Sequence, residues 1–318
     1  MKAIGGYFEL ETKKGKEFHK NLIKLNSGRT AFEYILLANQ YSRIYIPHYT
    51  CDVILEPLIR NKFDFQFYSV DERLNPIFDY NIIKSNEAFL YTNYFGVQDN
   101  FVNLLSSKIQ NLIIDNAQSF FSKPILNTCA FYSPRKFFGL PDGGYVHSKK
   151  KLDTSIERDV RSIERMSHLI LRLGLNAEMG YAEFCQNDAS LQNEKMLQMS
   201  NLTQRLLAGI DYSLARKKRI KNFEFLHKEL QQHNLFDINK CANQVPMVYP
   251  FRTKNPNLRE ILLKKRIYTA KYWPNLASSN SKIEIEKKLV NEFIHLPIDQ
   301  RYDENHMIRI IEQIQKHV

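Results

Sequence analysis

The chain has 318 residues, 43% hydrophobic and 25% charged, the composition of a soluble globular protein large enough for a sizeable core. No apolar run approaches membrane-spanning length, Met1–Gly6 lacks a signal-peptide core, and four dispersed cysteines (Cys51, Cys129, Cys185, Cys241) argue against a disulfide or zinc framework. The net charge of +11 permits an anionic small molecule, but no nucleic-acid-binding module accompanies it, and Lys149–Lys151 and Arg216–Arg219 read as solvated faces. The expectation is a reduced, cytoplasmic chain with no nucleic-acid or membrane partner.

In chain order, Arg29–Asn39 predicts a helix and Arg43–Pro47 a strand. A helical run ending near Arg60 leads to a strand over Phe65–Val70. Ala88–Tyr94 and Asn111–Asp115 are strands with a helical pattern between them, and Thr128–Tyr132 and Gly144–His147 complete the set. Continuous apolar strands joined by helices predict an α/β fold, a mostly parallel sheet covered on both faces.

After Lys150 the pattern changes. Leu152–Leu173 predicts a long basic helix broken at Gly174, Gln192–Leu207 a second helix and Asp211–Gln232 a third. Val245–Phe251 reads as a strand, Asn257–Lys265 as a helix and Arg266–Tyr272 as another strand. Met307, Ile308, Ile310, Ile311 and Ile314 mark Asn305–His317 as an amphipathic helix. The division predicted is a large domain over residues 1–211 and a smaller C-terminal α+β domain over 212–318.

Chemistry concentrates in Ser133-Pro134-Arg135-Lys136 and the run to Gly143-Gly144. An amine on a short loop at a strand end, flanked by aromatics, suits Schiff-base chemistry with a carbonyl, although a lone lysine is ordinarily a solvated surface charge. Asp115 ends an apolar strand, where open α/β sheets place their ligand crevices. Such a carboxylate is either a strand-end cap or the partner of a cation, such as a protonated pyridine nitrogen. Gln118, three residues on, is within reach of the same cavity. Ser27-Gly28 opens the first helix and offers backbone N–H groups, which makes it either a phosphate seat or an ordinary N-cap. Together these meet three needs of pyridoxal 5'-phosphate (PLP): a phosphate seat, a ring-nitrogen partner and an imine-forming lysine. His48, His147 and His295 lack metal-ligand spacing and read as structural, as does Trp273.

Several motifs occur in the order of a known family: Ser27-Gly28-Arg29-Thr30-Ala31, Ile46-Pro47-His48-Tyr49-Thr50-Cys51, Tyr94-Phe95-Gly96, Asp115-Asn116-Ala117-Gln118 and Ser133 through Gly144. With the closing Leu296-Pro297-Ile298-Asp299-Gln300-Arg301-Tyr302, the chain resembles the DegT/DnrJ/EryC1/StrS sugar aminotransferases. The resemblance is strongest from Asp115 to Gly144 and thin between residues 151 and 260.

It implies the PLP-dependent transferase fold of type I, with PLP bound through Lys136, Asp115 on the pyridine nitrogen and Gln118 near the ring oxygen. Gly28 and Arg29 would give backbone N–H groups to the phosphate. It also implies a homodimer with shared sites that moves an amino group from glutamate to a nucleotide-linked keto-sugar for surface polysaccharide. Two positions depart from the family pattern. The phosphate-binding serine five residues before the lysine is Phe131 here, leaving Ser133 as a candidate substitute, and the ring-stacking position aligns with Cys51, leaving Tyr49 or Tyr94 as alternatives. A PLP enzyme of another reaction type, or a non-catalytic relative that binds a ligand or partner, are the competing readings.

Overall fold

Between residues 23 and 147 the apolar segments assemble into one eight-stranded sheet. In chain order the elements are β1 (Ile23–Leu25), α1 (Gly28–Asn39), β2 (Arg43–Pro47), α2 (Leu55–Arg60), β3 (Asp64–Val70), β4 (Pro76–Ile77), β5 (Ala88–Thr92), α3 (Asp99–Lys108), β6 (Leu112–Asp115), β7 (Cys129–Tyr132) and β8 (Gly144–His147). The computed structural model describes residues 4–278 and 283–318, so part of the N-terminal segment read above for a signal peptide lies outside the described residues.

The strand order is β1-β8-β7-β6-β5-β2-β3-β4. β3, β2, β5, β6 and β7 run parallel, while β8 is antiparallel to β7 and β1, and β4 to β3. Two apolar layers cover the sheet. Ile113, Cys129 and Phe131 pack with Phe32, Ile35 and Leu36 of α1, whereas Ile114, Ala130 and Tyr132 face the other cluster. Each large side chain so buried contributes about 1.5–3 kcal/mol. The α/β architecture and the mostly parallel sheet are as expected from the continuous apolar strands.

The strand expected over Ala88–Tyr94 stops at Thr92. Tyr94–Gly96 form a 3-10 turn in which Phe95 has φ 58°, and its N–H donates to Gln118 Oε1 at 2.7 Å. A Cβ at Gly96 would lie 2.8 Å from the Gln118 carbonyl oxygen, which accounts for the glycine of the Tyr-Phe-Gly motif.

Residues 151–208 correct the helix assignments. No long helix spans Leu152–Leu173: this stretch holds a 3-10 turn over Arg161–Arg165 and the start of α4 (Ser167–Gly174). Ahead of them, residues 157–159 run extended beside Gln198, with Gln198 N–H donating to Glu157 O at 2.7 Å and Asp159 N–H to Gln198 O at 2.9 Å. The segment before Asn201 is extended too, because Asn26 N–H donates to Leu197 O and Met199 N–H to Lys24 O. Only α6 (Asn201–Ala208) remains of that predicted helix, and α5 (Tyr181–Ser190) forms where none was expected. Tertiary backbone pairing here outweighs helix propensity.

Beyond it come α7 (Tyr212–Leu230), β9 (Val248–Arg252), α8 (Leu258–Lys264), α9 (Glu284–Glu292), β10 (Phe293–Pro297) and α10 (Glu304–Gln315). β9 pairs antiparallel with β10, not with the predicted Arg266–Tyr272, which meets β10 through an isolated Ala270–His295 bridge and a Tyr272–His295 ring contact at 4.3 Å. The larger apolar cluster runs continuously from Tyr45 to Ile314 and joins sheet and C-terminal elements. Among the described residues no helix is long and apolar enough to cross a membrane.

Candidate active site

The site is built at the carboxyl ends of β6 and β7. Asp115 closes β6, buried between its register partners Thr92 on β5 and Phe131 on β7, and its Oδ1 accepts from Ala117 N–H at 2.8 Å. Burial pushes its pKa up, and the nearby Lys136 ammonium pulls it back down. The carboxylate and the amine singled out in the sequence are thus within electrostatic reach of each other. Gln118 is buried beside them: its Oε1 is held by Phe95 N–H, while its Nε2 has no partner among the described residues.

Lys136 ends a 3-10 turn, Pro134–Lys136, directly after β7. Its side chain is exposed, so the aromatic flanks do not enclose the amine. Phe137 and Phe138 turn inward to the core instead. The turn is held from the C-terminal side. Arg219 of α7 donates to Phe137 O at 3.3 Å and lies over the Phe137 ring at 4.6 Å, and Gln300 Nε2 donates to the same oxygen at 2.9 Å. Sequence reading placed Arg219 on a solvated face, yet it is 2% exposed, and burial lowers its pKa to about 10. The signal was present in the helical spacing of Ala215, Arg219, Asn222, Phe223 and Leu226, which together form the buried face of α7.

The N-terminus of α1 faces this loop. Ser27 caps the helix, its Oγ accepting from Thr30 N–H at 3.1 Å while Thr30 Oγ1 accepts from Ser27 N–H at 3.2 Å, so its hydroxyl is engaged in a capping box. A Cβ on Gly28 would lie 3.5 Å from Ser133 Cβ, which sets Ser133 against the first turn. Gly144 makes that approach possible: a Cβ there would meet Ser27 O at 2.1 Å and Gly28 N at 3.0 Å. Gly143, at φ 127°, donates from its N–H to Asn26 O at 2.7 Å. The Gly-Gly pair therefore clasps the α1 N-terminus onto β8. Phe131 instead packs 5.3 Å from Phe32 inside the core and presents no hydroxyl.

Cys51 is half-buried; burial pushes its thiol up, Lys136 draws it down and Asp115 adds to the rise, which places the sulfur near both groups. Tyr49 is fully buried and packs edge-on against Trp273 at 4.5 Å and tilted against Tyr94 at 5.6 Å. Tyr94 in turn donates its hydroxyl to Tyr49 O at 2.8 Å. These two rings are core contacts to the C-terminal half; Tyr94 also feels the Asp115 charge, whereas Cys51 feels both Lys136 and Asp115. Arg29 reaches from α1 toward Glu56, its Nε 3.5 Å from the carboxylate.

The site thus gathers Lys136, Asp115 and Cys51 within electrostatic reach of one another, with Gln118 three residues after Asp115 and the Gly28–Ser133 approach just ahead of the Lys136 turn. Its features fit a flat heterocycle that bears a carbonyl, a protonated ring nitrogen and a phosphate: an exposed amine, a buried carboxylate, a free amide donor and a helix N-terminus.

No protein-family model matches the sequence, and no curated protein matches it. Solved structures do match in fold. DesV of S. venezuelae, in complex with a ketimine intermediate, superposes at TM-score 0.63 with 15% identity over 92% of this chain and 84% of that one. The sugar aminotransferase CalS13 of Micromonospora echinospora matches at TM-score 0.61 and 14% identity, covering 93% of this chain and 87% of its own. A DegT DnrJ EryC1 StrS aminotransferase from Brucella abortus matches at 0.60 and 14%, covering 93% and 86%. The chain has the fold these aminotransferases share, a mixed α/β architecture around a large, mostly parallel sheet.

Proposed function

We propose that the chain is a PLP-dependent aminotransferase that moves an amino group, with glutamate as donor, to a nucleotide-linked keto-sugar for surface polysaccharide. In this reading it works as a cytoplasmic homodimer with shared sites, residues 1–211 carrying the cofactor and 212–318 forming the smaller domain. The observation that carries the proposal is the Asp115–Lys136 pair at adjoining strand ends, in front of the α1 N-terminus. The sugar aminotransferases among the fold neighbours support the substrate class, and the charge of +11 suits an anionic sugar nucleotide.

When bound, PLP supplies a carbonyl for the amine and a cationic ring that accepts electrons. Asp115 would hold the ring nitrogen and favour its protonated form, since a buried carboxylate is stable as an anion only beside a cation. Gln118 Nε2, without a partner among the described residues, would be the donor available to the ring oxygen. Lys136 Nζ would hold the carbonyl carbon and, once the amino group of the donor had taken its place there, would be the base positioned to carry a proton between the donor carbon and the adjoining carbon. Its exposure gives substrates access, and the hold of Arg219 and Gln300 on Phe137 O keeps the turn in place.

Absorbance of the purified protein tests this. Added PLP is expected to give a visible band that Lys136→Ala abolishes, glutamate to bleach it, and the variant's turnover to fall by at least about 10²–10⁴-fold. A colourless protein that takes up no PLP would sink the proposal. A visible band unmoved by glutamate or glutamine would redirect it to another PLP reaction.

A further inference from the structure

A cavity of about 310 Å³ lies between β1, the middle of α1 and the chain at residues 152–158, with Gln198 and Gln204 also on its wall. That volume is at the lower end of the range for small-molecule sites. None of its lining residues belongs to the Lys136 site: Tyr34, which α1 contributes, is six residues past Gly28, about 9 Å along the helix. The cavity opens where extended chain stands in place of the helix predicted over Leu152–Leu173, and where Arg158 and Leu25 each bridge to Gln198. Local sequence rules fail most often at functional or strained positions.

The wall carries two cations, Lys24 and Arg158, and no carboxylate. Lys24 is matched by Glu17 at 2.6 Å, and Glu17 also accepts from the Tyr145 hydroxyl at 2.6 Å. Arg158 has no ion-pair partner among the described residues; its guanidinium donates to two neutral oxygens, Met199 O at 3.0 Å and Gln198 Oε1 at 2.9 Å. Two of its five N–H donors are thus used, which leaves three. The carboxylates on either side of it in the chain are engaged elsewhere, Glu157 with Lys195 at 2.5 Å and Asp159 with Arg165 at 2.8 Å. The wall therefore keeps one uncompensated positive charge.

Neutral donors are in surplus as well. Tyr34 is buried, its hydroxyl accepts from Leu152 N–H at 2.9 Å, and its own hydrogen has no acceptor among the described residues. Gln198 Nε2 and the hydroxyls of Thr154 and Ser155 donate to none of those residues either. Ile23, Leu25 and Ile156 place aliphatic surface between these groups.

We propose that this cavity binds a small hydroxylated carboxylate of hexose size, a sugar acid, with its carboxylate on Arg158 and its hydroxyl groups on Tyr34, Gln198, Thr154 and Ser155. A guanidinium with free N–H donors pairs well with a carboxylate, and one unmatched charge on the wall calls for one charge on the ligand. Hydroxyl and amide side chains both donate and accept, as sugar hydroxyls do, and the aliphatic side chains between them suit the C–H faces of the same molecule. The cavity shares no residue with the Lys136 site, so its ligand is independent of the reaction there.

Calorimetric titration of the full chain with glucuronate, glucose and hexanoate tests this. Glucuronate is expected to bind; glucose, which lacks the charge, and hexanoate, which lacks the hydroxyls, should each bind at least about tenfold more weakly. Arg158→Gln should weaken glucuronate binding about tenfold to a hundredfold and Tyr34→Phe several-fold, while Lys136→Ala leaves it unchanged. Ser155→Trp, a substitution at an exposed position on the wall, should block the cavity, and it carries the comparison if Arg158→Gln does not fold. No saturable binding of glucuronate at about 10 mM overturns the proposal, as does equal affinity for glucose or hexanoate. Binding that survives both Arg158→Gln and Ser155→Trp, or that Lys136→Ala removes, places the ligand elsewhere and overturns it too. Failure of the protein to take up PLP would sink the aminotransferase reading and leave these outcomes to decide the cavity by themselves.

Discussion

The strands that end at the site and the α4–α5 hairpin beside it are built on opposite terms. Every residue of β5, β6 and β7 is buried. In α4 and α5 the buried residues are His168 and Asn187, both polar, while Ile170, Leu173, Tyr181 and Phe184 are exposed. Yet both regions reach the same loop: β7 leads directly into it, and the hairpin touches it through Asn187 at Pro141 O and Asp188 at Arg135. Packing from two faces holds Asp115 and the Lys136 turn in register, because a close-packed core has few alternative arrangements. The hairpin adds polar contacts to that loop without a packed apolar face of its own.

Truncation in the sheet should give the largest stability effect. Phe89 is fully buried and stacks on Tyr68 at 4.5 Å, and Phe89→Ala is expected to cost about 3–5 kcal/mol in denaturant unfolding. A loss under about 1 kcal/mol would break the contrast.

Acid is the next lever. Burial lowers His19 from 6.5 to about 4 and His295 to about 3, although Phe120 O and Ala270 O each accept a ring hydrogen bond that works the other way. Both rings are neutral in the folded chain, whereas the unfolded chain protonates below about 6.5. Their stabilisation is full above that value and is lost as pH falls through the window toward 4, by about 3 kcal/mol for His19. His19→Gln should flatten this part of the stability–pH curve; a slope unchanged from wild type would show that the packed body is not what acid attacks.

The smallest effect belongs to the hairpin. Phe184 is 47% exposed, and Phe184→Ala should shift the unfolding free energy of the chain by no more than about 0.5 kcal/mol. A loss matching that of Phe89→Ala would mean that the hairpin is as tightly packed as the strands.

The same contrast separates what could be read from the residues from what could not. β2 and β8 fall on their predicted bounds, and β6 and β7 each begin within one residue of theirs, because an apolar strand buried on both faces carries its signal in its own composition; β3 also begins within one residue, though much of it is exposed. Residues 157–159 and 197–199 misled because their extended course is set by backbone pairing with one another and with residues 24–26, which helix propensity does not register.

At the site, Asp115, Gln118, Lys136 and the Ser27–Gly28 turn were legible as residue types at fixed spacings, since strand ends and a helix start position them locally. That Ser133 lies against Gly28, that Cys51 approaches Lys136 while Tyr49 turns to Trp273, and that Arg219 holds Phe137 were decided only by the fold. Each joins segments far apart in the chain, and such contacts form only once the core has fixed where those segments meet.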